Sequence, residues 1–494
     1  MVRKIFCCLI FLTMCISLPV SIPVMSTSSV RAQEVNIESS EKEEDNELDG
    51  FGEGDDSSFE DIEYNQDKIK KKADTNVRFG GFINEEATYR LHDTDPKIPK
   101  LRSVINLDFI WRITDEWQGR SVFNGFYDLA YRLEGRSQFD DQTLKTHERD
   151  FQIRDFYVEG LVIEWLRLKT GRQIIAWGES DFIQITDIAN PRDQAELGLV
   201  DLEDARIPIA ATKLSLLEEP WELNLAAIHE VRPDRIGARG ADFDGFKAVR
   251  GRGIIVNSEQ VPDIKTENTE YIARLFGTFN SKDISFVLGR VYDDSAYLDF
   301  DDIDFSTGIP RISLTPKHKE VGMFGVSGNL VKGSFLWKAE AARYMEKAIA
   351  RNDLSEQILN DPTGESIRTW EEKDTVMVMG GLEYTGVTDL RITIEGVVER
   401  ISGYQEYFQP DRTTEMIFLL ASYQTMNETF SYNFQYAHFS QYNDNIYKFT
   451  IDYDIIDAME LSLGVIFYDF DDDESQLYPY RDEDRVFAGI KYSF

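Results

Sequence analysis

The 494-residue chain has no cysteine beyond Cys15. Everything after that position is therefore free of disulfides and of thiolate chemistry. Histidine is scarce as well. His92, His147, His229, His318 and His438 are scattered, with no spacing that nominates a triad or a metal motif. Past the N-terminus no apolar run approaches the roughly 20 residues a helix needs to cross a bilayer. Basic residues are outnumbered, 53 Lys and Arg against 89 Asp and Glu, for a formal charge of -36. So acidic a surface makes nucleic acid an unsuitable partner. The carboxylate-rich stretch Asp293 to Gly308 lacks the glycine and spacing of an EF-hand. The expectation is no metal, no cofactor and no enzyme, although an Asp- or Ser-based site assembled in three dimensions leaves no linear trace.

What is present begins with a secretory signal over 1–32. Arg3 and Lys4 form a basic start, Ile5 to Leu18 an apolar core, and Val30-Arg31-Ala32 a small-residue cleavage site. Pro19 and Pro23 bound the core and argue against a membrane helix. All three cysteines lie here. Residues 33–75 are a second zone, strongly acidic, without periodicity and ending in Lys70-Lys71-Lys72. This composition predicts a disordered leader on the periplasmic side. Phe51 and Phe59 in it are candidate anchors for a periplasmic or inner-membrane transport partner.

From residue 76 onward the texture is alternation. In KLRSVINLDFIWRIT, Leu101, Ser103, Ile105, Leu107, Phe109 and Trp111 share one face. Arg102, Asn106, Asp108 and Arg112 share the other. A period of two means a strand with one apolar and one polar side. Segments of this kind recur near 77–91, 101–113, 117–134, 148–163, 165–177, 205–217 and 220–232, and continue to 482–494, about eighteen in all. Their connections alternate between tight turns, such as Asn280-Ser281-Lys282 and Met426-Asn427, and long loops, such as 178–204, 233–266 and 294–317. That asymmetry predicts a transmembrane antiparallel β-barrel with short periplasmic turns and long outer loops. A mean hydropathy of -0.37 is compatible with it, since a barrel needs apolar residues only at alternate positions. The even strand count puts both barrel ends on the short-turn side. The chain closes on VFAGIKYSF, with Tyr492 and Phe494 at alternating positions. Such an aromatic last strand resembles the signal read by the outer-membrane assembly machinery. Outer-membrane lipid and lipopolysaccharide are then the surroundings, in a Gram-negative envelope.

Residues 154–213 carry a resemblance. RDFYVEG, LRLKTGRQIIAWGESDF, DIANPRD and ARIPIAATKL resemble the core of an uncharacterised, porin-like family of proteobacterial outer-membrane proteins, a domain of unknown function. In build the chain is similar to the alginate-export porins, which implies a large monomeric barrel. The pattern falls on Gly171, Arg172, Gln173, Trp177, Gly178, Glu179, Asp187, Asn190, Pro191 and Asp193. The resemblance also implies envelope transport of hydrophobic molecules.

The stretch Gly171 to Asp193 leads into the third outer loop, 178–204, expected to fold inward and narrow the pore. Its Trp177, Phe182, Ile183, Ile185 and Ile188 have little use in water. Glu179, Asp181, Asp187 and Asp193 are expected to meet basic wall groups such as Arg172, with Asn190-Pro191 as a turn. Lumen arginines are expected at Arg102, Arg112, Arg120 and Arg132, laddered with Asp108, Asp128 and Glu134. The function this implies is a channel passing a hydrophobic or anionic solute. The competing readings are an alginate-type exopolysaccharide export porin, an outer-membrane enzyme, and a structural barrel.

Overall fold

The computed structural model describes residues 77–199, 205–306, 310–361 and 363–494. The expected signal and acidic leader lie outside the described residues. Alternating segments become eighteen barrel strands: β1 (Val77–Arg90), β2 (Lys100–Arg112), β3 (Trp117–Asp128), β4 (Arg149–Ile163), β5 (Leu166–Gln173), β6 (Ile209–Glu218), β7 (Trp221–Ile228), β8 (Glu270–Phe279), β9 (Lys282–Tyr292), β10 (Glu320–Lys332), β11 (Phe335–Ala350), β12 (Trp370–Val387), β13 (Leu390–Ile401), β14 (Thr413–Thr425), β15 (Phe430–Phe439), β16 (Asp444–Ile456), β17 (Met459–Asp469) and β18 (Arg485–Ser493). Each pairs antiparallel with the next, and β1 pairs with β18 from Phe82↔Ser493 to Arg90↔Arg485. Closure satisfies the backbone without helices, as a bilayer requires. The last residue extends the ladder: Phe494 and Gly81 exchange backbone hydrogen bonds of 2.9 and 3.1 Å.

The two sides of the wall differ in the sense that lipid demands. Val287 is fully buried inside the barrel, while its neighbour Leu288 is 57% exposed on the outside. Phe324, Trp337, Val378, Ile394 and Ile417 are likewise exposed on the outer face. Leaving each of these in water forfeits about 1.5–3 kcal/mol, so the outer face is built for an apolar solvent. Tight turns such as 164–165, 219–220 and 280–281 occupy the end where β1 begins and β18 ends. The described residues of the loops 174–208, 229–269 and 293–319 occupy the other.

Two strand expectations need correction. The segment 117–134 ends as a strand at Asp128, whose carboxylate accepts the amides of Leu101 (2.9 Å) and Ala130 (3.1 Å). Those two hydrogen bonds turn the chain into a short helix, Ala130–Glu134. The segment 165–177 stops at Gln173. Gly171 there has φ +126°, and a Cβ on it would meet the Phe156 carbonyl oxygen at 2.2 Å, so only glycine lets β4 and β5 approach.

The rim is stepped at this seam. β4 pairs with β3 up to Tyr127↔Arg149 but with β5 only up to Phe156↔Arg172. Residues 149–155 therefore have a ladder on one side and no strand among the described residues on the other. The Phe151 amide turns instead to the carboxylate of Asp150 (2.8 Å).

Candidate functional site

After Gln173 the chain leaves the wall and turns into the lumen. Two side chains take over the work of a strand partner. Asn190 accepts the Ile175 amide at Oδ1 (2.7 Å) and donates from Nδ2 to the Ile207 carbonyl (2.8 Å). Asp187 accepts the Trp177 amide (3.2 Å) and the Arg206 guanidinium (2.9 Å). Gln173, fully buried, donates to the Ala211 carbonyl at 2.9 Å. These local bonds hold the third loop in one shape, and Asp193↔Arg235 pairs it in parallel with the fourth loop.

The loop then lies on an apolar inner wall. Ile175, Trp177, Ile185 and Ala189 pack with Ile228, Val287, Met323, Met379, Val397 and Phe418, which β7 to β14 turn inward. Phe182 stacks on Phe418 with ring centroids 4.9 Å apart. Fully burying Ile185 is worth about 1.5–3 kcal/mol, against roughly 1–2 kcal/mol to order one residue of backbone. Packing of this kind, repeated along the loop, keeps it inside.

Wall carboxylates complete the hold. Glu340 of β11 accepts the amides of Glu179 and Ser180, both at 3.1 Å, and that of Thr186 at 2.6 Å. Glu395 of β13 accepts the Asp181 amide (3.1 Å) and the Ser180 hydroxyl (2.6 Å). Tyr344 donates its hydroxyl to the Ile185 carbonyl at 2.8 Å. Sequence reasoning missed both glutamates. The available signal was an acid on the inward register of strands whose other inward residues, Ala342 and Val397, are small or apolar.

The expected pairing of loop acids with Arg172 is not made. Register opposite Phe156, which is exposed on the outer face, places Arg172 on the outer face too. There it pairs with Glu230 (2.9 Å) and donates to the Pro208 carbonyl (3.2 Å). Asp181 does find a wall cation, Lys338, at 2.9 Å. Glu179 accepts from Asn329 (3.1 Å), and Asp193 faces Arg235 (3.4 Å). Burial raises the carboxyl pKa of Glu179 and of Asp193 from their ordinary values. Trp177 is an anchor, 3% exposed, with the Arg274 guanidinium 6.0 Å from its ring centroid.

Across the lumen the wall is charged. Arg102 meets Asp128 (3.3 Å) and Glu196 of the third loop (2.6 Å), while Lys100 reaches the same Glu196 (2.8 Å). Arg120 pairs with Asp108 (3.0 Å) and lies 3.7 Å from Asp155. Arg112 is exposed near the short-turn end. Arg132, expected in the lumen, stands exposed on the short helix after Asp128, because the strand ends before it. Between the third loop and the wall is a cavity of about 480 Å³, lined by Phe182, Ile188, Phe418 and Phe439 together with Lys347 and Asp294. Burial and the neighbouring Asp234 hold the Asp294 carboxyl well above its usual pKa. Among the described residues no group of three or more His, Cys, Asp or Glu could hold a metal ion.

Tyr492 and Phe494 are half-exposed on the outer face, Phe494 against Phe79 with centroids 5.6 Å apart.

A family model described as "Protein of unknown function (DUF1302)" matches residues 88–494. No curated protein matches the chain. Among solved structures, the Acinetobacter baumannii protein OccAB2 is similar with a TM-score of 0.49 and 10% identity, over 85% of this chain and 98% of that one. Pseudomonas aeruginosa OpdK, solved with vanillate, gives 0.47 and 9% over 85% and 98%. A loop-deletion variant of OmpT, an outer-membrane protein of Vibrio cholerae, gives 0.36 and 12% over 85% and 99%.

Proposed function

We propose that this chain, which belongs to the DUF1302 family of proteins of unknown function, is an outer-membrane channel whose bore is set by its third loop. The observation that carries the reading is the clamp: an apolar loop seated on an apolar inner wall and held by Glu340 and Glu395. With that half of the lumen occupied, solute passes between the loop and the charged wall of β1–β5. The cavity beside Phe182 and Phe418 favours a solute with an apolar body over a polysaccharide, whose hydroxyls would find few partners there. The protein is monomeric, is exported by a cleaved signal, and is delivered by assembly machinery that reads Tyr492 and Phe494. Its short-turn end faces periplasmic partners and its outer loops face lipopolysaccharide.

The test is electrical. Protein refolded into planar bilayers, with folding checked by heat-modifiable migration, is expected to give discrete conductance steps. Folded protein that leaves the bilayer silent at every voltage would leave a structural barrel as the better reading.

A further inference from the structure

We infer that the fourth outer loop is a latched gate over the outer exit of the passage, with Asp242 as its latch. This deepens the channel reading and rests on it. The loop leaves the wall after Ile228 and rejoins it at Glu270, yet its middle is fastened beyond β2–β6, at the β1–β18 seam. There Arg90 and Arg485 are directly paired residues, 4% and 3% exposed. Like charges set opposite one another on adjacent strands repel, and burial leaves little water to screen them. The ninth outer loop supplies one counter-charge. Its Glu483 accepts from Arg90 Nε at 2.9 Å and also from the Arg485 guanidinium. The other comes from the fourth loop, where Asp242 accepts from Arg90 through Oδ1 and from Arg485 through Oδ2 (2.5 Å). Among the described residues, two carboxylates are bonded to this arginine pair, and one of them leaves when the loop lifts.

The neighbouring residues close the lid. The Phe243 ring centroid lies 4.8 Å from the Arg485 guanidinium, and the ring packs with Tyr468, Leu477 and, from the third loop, Leu197. Tyr480 donates its hydroxyl to the Asp244 carbonyl at 3.1 Å. On the opposite flank the Ala238 amide donates to His147 (3.0 Å), and the Arg239 carbonyl accepts from Thr143 (2.6 Å), both in the second outer loop. The tip, 237–253, is therefore bordered by the second loop, the β1–β18 seam and the third loop. Those are the edges of the sector left between the third loop and the charged wall of β1–β5. A solute following that wall reaches the tip before the outer medium. The foot of the loop is held separately, Arg235 opposite Asp193 and Ile255 opposite Ser313, so the tip lifts while its foot stays in place. Asp242 is the strongest tie on the tip, because its two bonds are charge-assisted while those at Tyr480, Ala238 and Arg239 are neutral.

Tethering the tip tests the gate. Because the chain has no cysteine beyond Cys15, one pair can be placed where Lys247 Nζ lies 5.9 Å from the Tyr480 ring. The Lys247→Cys, Tyr480→Cys protein is bridged with a reducible bis-methanethiosulfonate, and its folding is checked by heat-modifiable migration. In planar bilayers its open probability is expected to fall about ten-fold and to recover with dithiothreitol, the reverse of one lost charge-assisted hydrogen bond. Each single-cysteine variant treated with the same reagent should gate as before treatment. Asp242→Asn keeps the shape and gives up the charge. It should raise open probability about ten-fold, with the unit conductance unchanged because the third loop still sets the bore. A tethered protein that conducts like the untethered one, or an Asp242→Asn variant that gates like the wild type, would overturn the gate. Conductance steps indifferent to the tether strike the gate alone. Silence of every folded protein, Asp242→Asn included, strikes the channel reading and the gate with it.

Discussion

Strands β7–β14 turn Ile228, Val287, Met323, Met379 and Phe418 inward, whereas β2–β5 turn Arg102, Asp108, Arg120, Asp128 and Lys169 inward. The same strand period thus builds two different walls in one barrel. The charged wall carries its own counter-charges, Asp128 at 3.3 Å from Arg102, Asp108 at 3.0 Å from Arg120 and Glu159 at 4.0 Å from Lys169, and such a surface can stay wet. The apolar wall cannot. Exposed to lumenal water it would forfeit its hydrophobic free energy, so it is completed by a loop with its own apolar face. The lesson is that inward folding of the third loop is dictated by the wall it covers as much as by the loop itself.

Cutting the clamp should have the largest effect. In a Glu340→Ala, Glu395→Ala double variant, the amides of Glu179, Ser180, Asp181 and Thr186 lose their acceptors. Each donor left buried and unpaired costs about 1–3 kcal/mol. The unfolding midpoint, followed by heat-modifiable migration, is expected to fall, and open-channel noise to rise as the loop detaches. Glu340→Gln keeps one acceptor and should show a smaller change in both.

Acid should act next, and outside the strands. Burial pushes His147 down to about 4 from its ordinary 6.5, and its Nε2 accepts the Ala238 amide at 3.0 Å, joining the second and fourth outer loops. The folded state therefore favours the neutral ring. Its contribution to stability is full above pH 6.5 and is lost as the pH falls toward 4. Protection of residues 140–148 and 236–246 against hydrogen exchange, taken relative to the intrinsic rate at each pH, should fall over that window, and His147→Gln, with a neutral acceptor, should flatten the response. An equal loss of protection in the variant would place the sensitivity elsewhere.

The smallest effect belongs to Arg172→Ala. Since Arg172 and Glu230 are partly exposed on the outer face, the loss of their pair is worth less than about 1 kcal/mol. Ion preference should not move. A shifted reversal potential would put this guanidinium back in the lumen.

Strand number, sidedness and loop alternation were legible in the sequence because lipid outside and a barrel inside impose a period of two on every crossing. The inward course of the third loop was legible for a related reason: Trp177, Phe182, Ile185 and Ile188 have no place in water. What could not be read was which partner each loop acid would find. That depends on strand stagger, which swung Arg172 outward and brought Glu340 and Glu395, far along the chain, over the loop's amides. Arg132 was misplaced for a local reason, since nothing in FYDLAYRLE shows that the Asp128 carboxylate would end the strand by bonding two amides.

The most direct measurement compares the wild type with a variant lacking residues 180–200, with Gly178 and Ala205 kept, in planar bilayers. If the third loop sets the bore, single-channel conductance rises severalfold in the deletion while the barrel remains heat-modifiable. Unchanged conductance and ion preference in a folded deletion variant would contradict the account, leaving the loop as a cover over a passage set elsewhere.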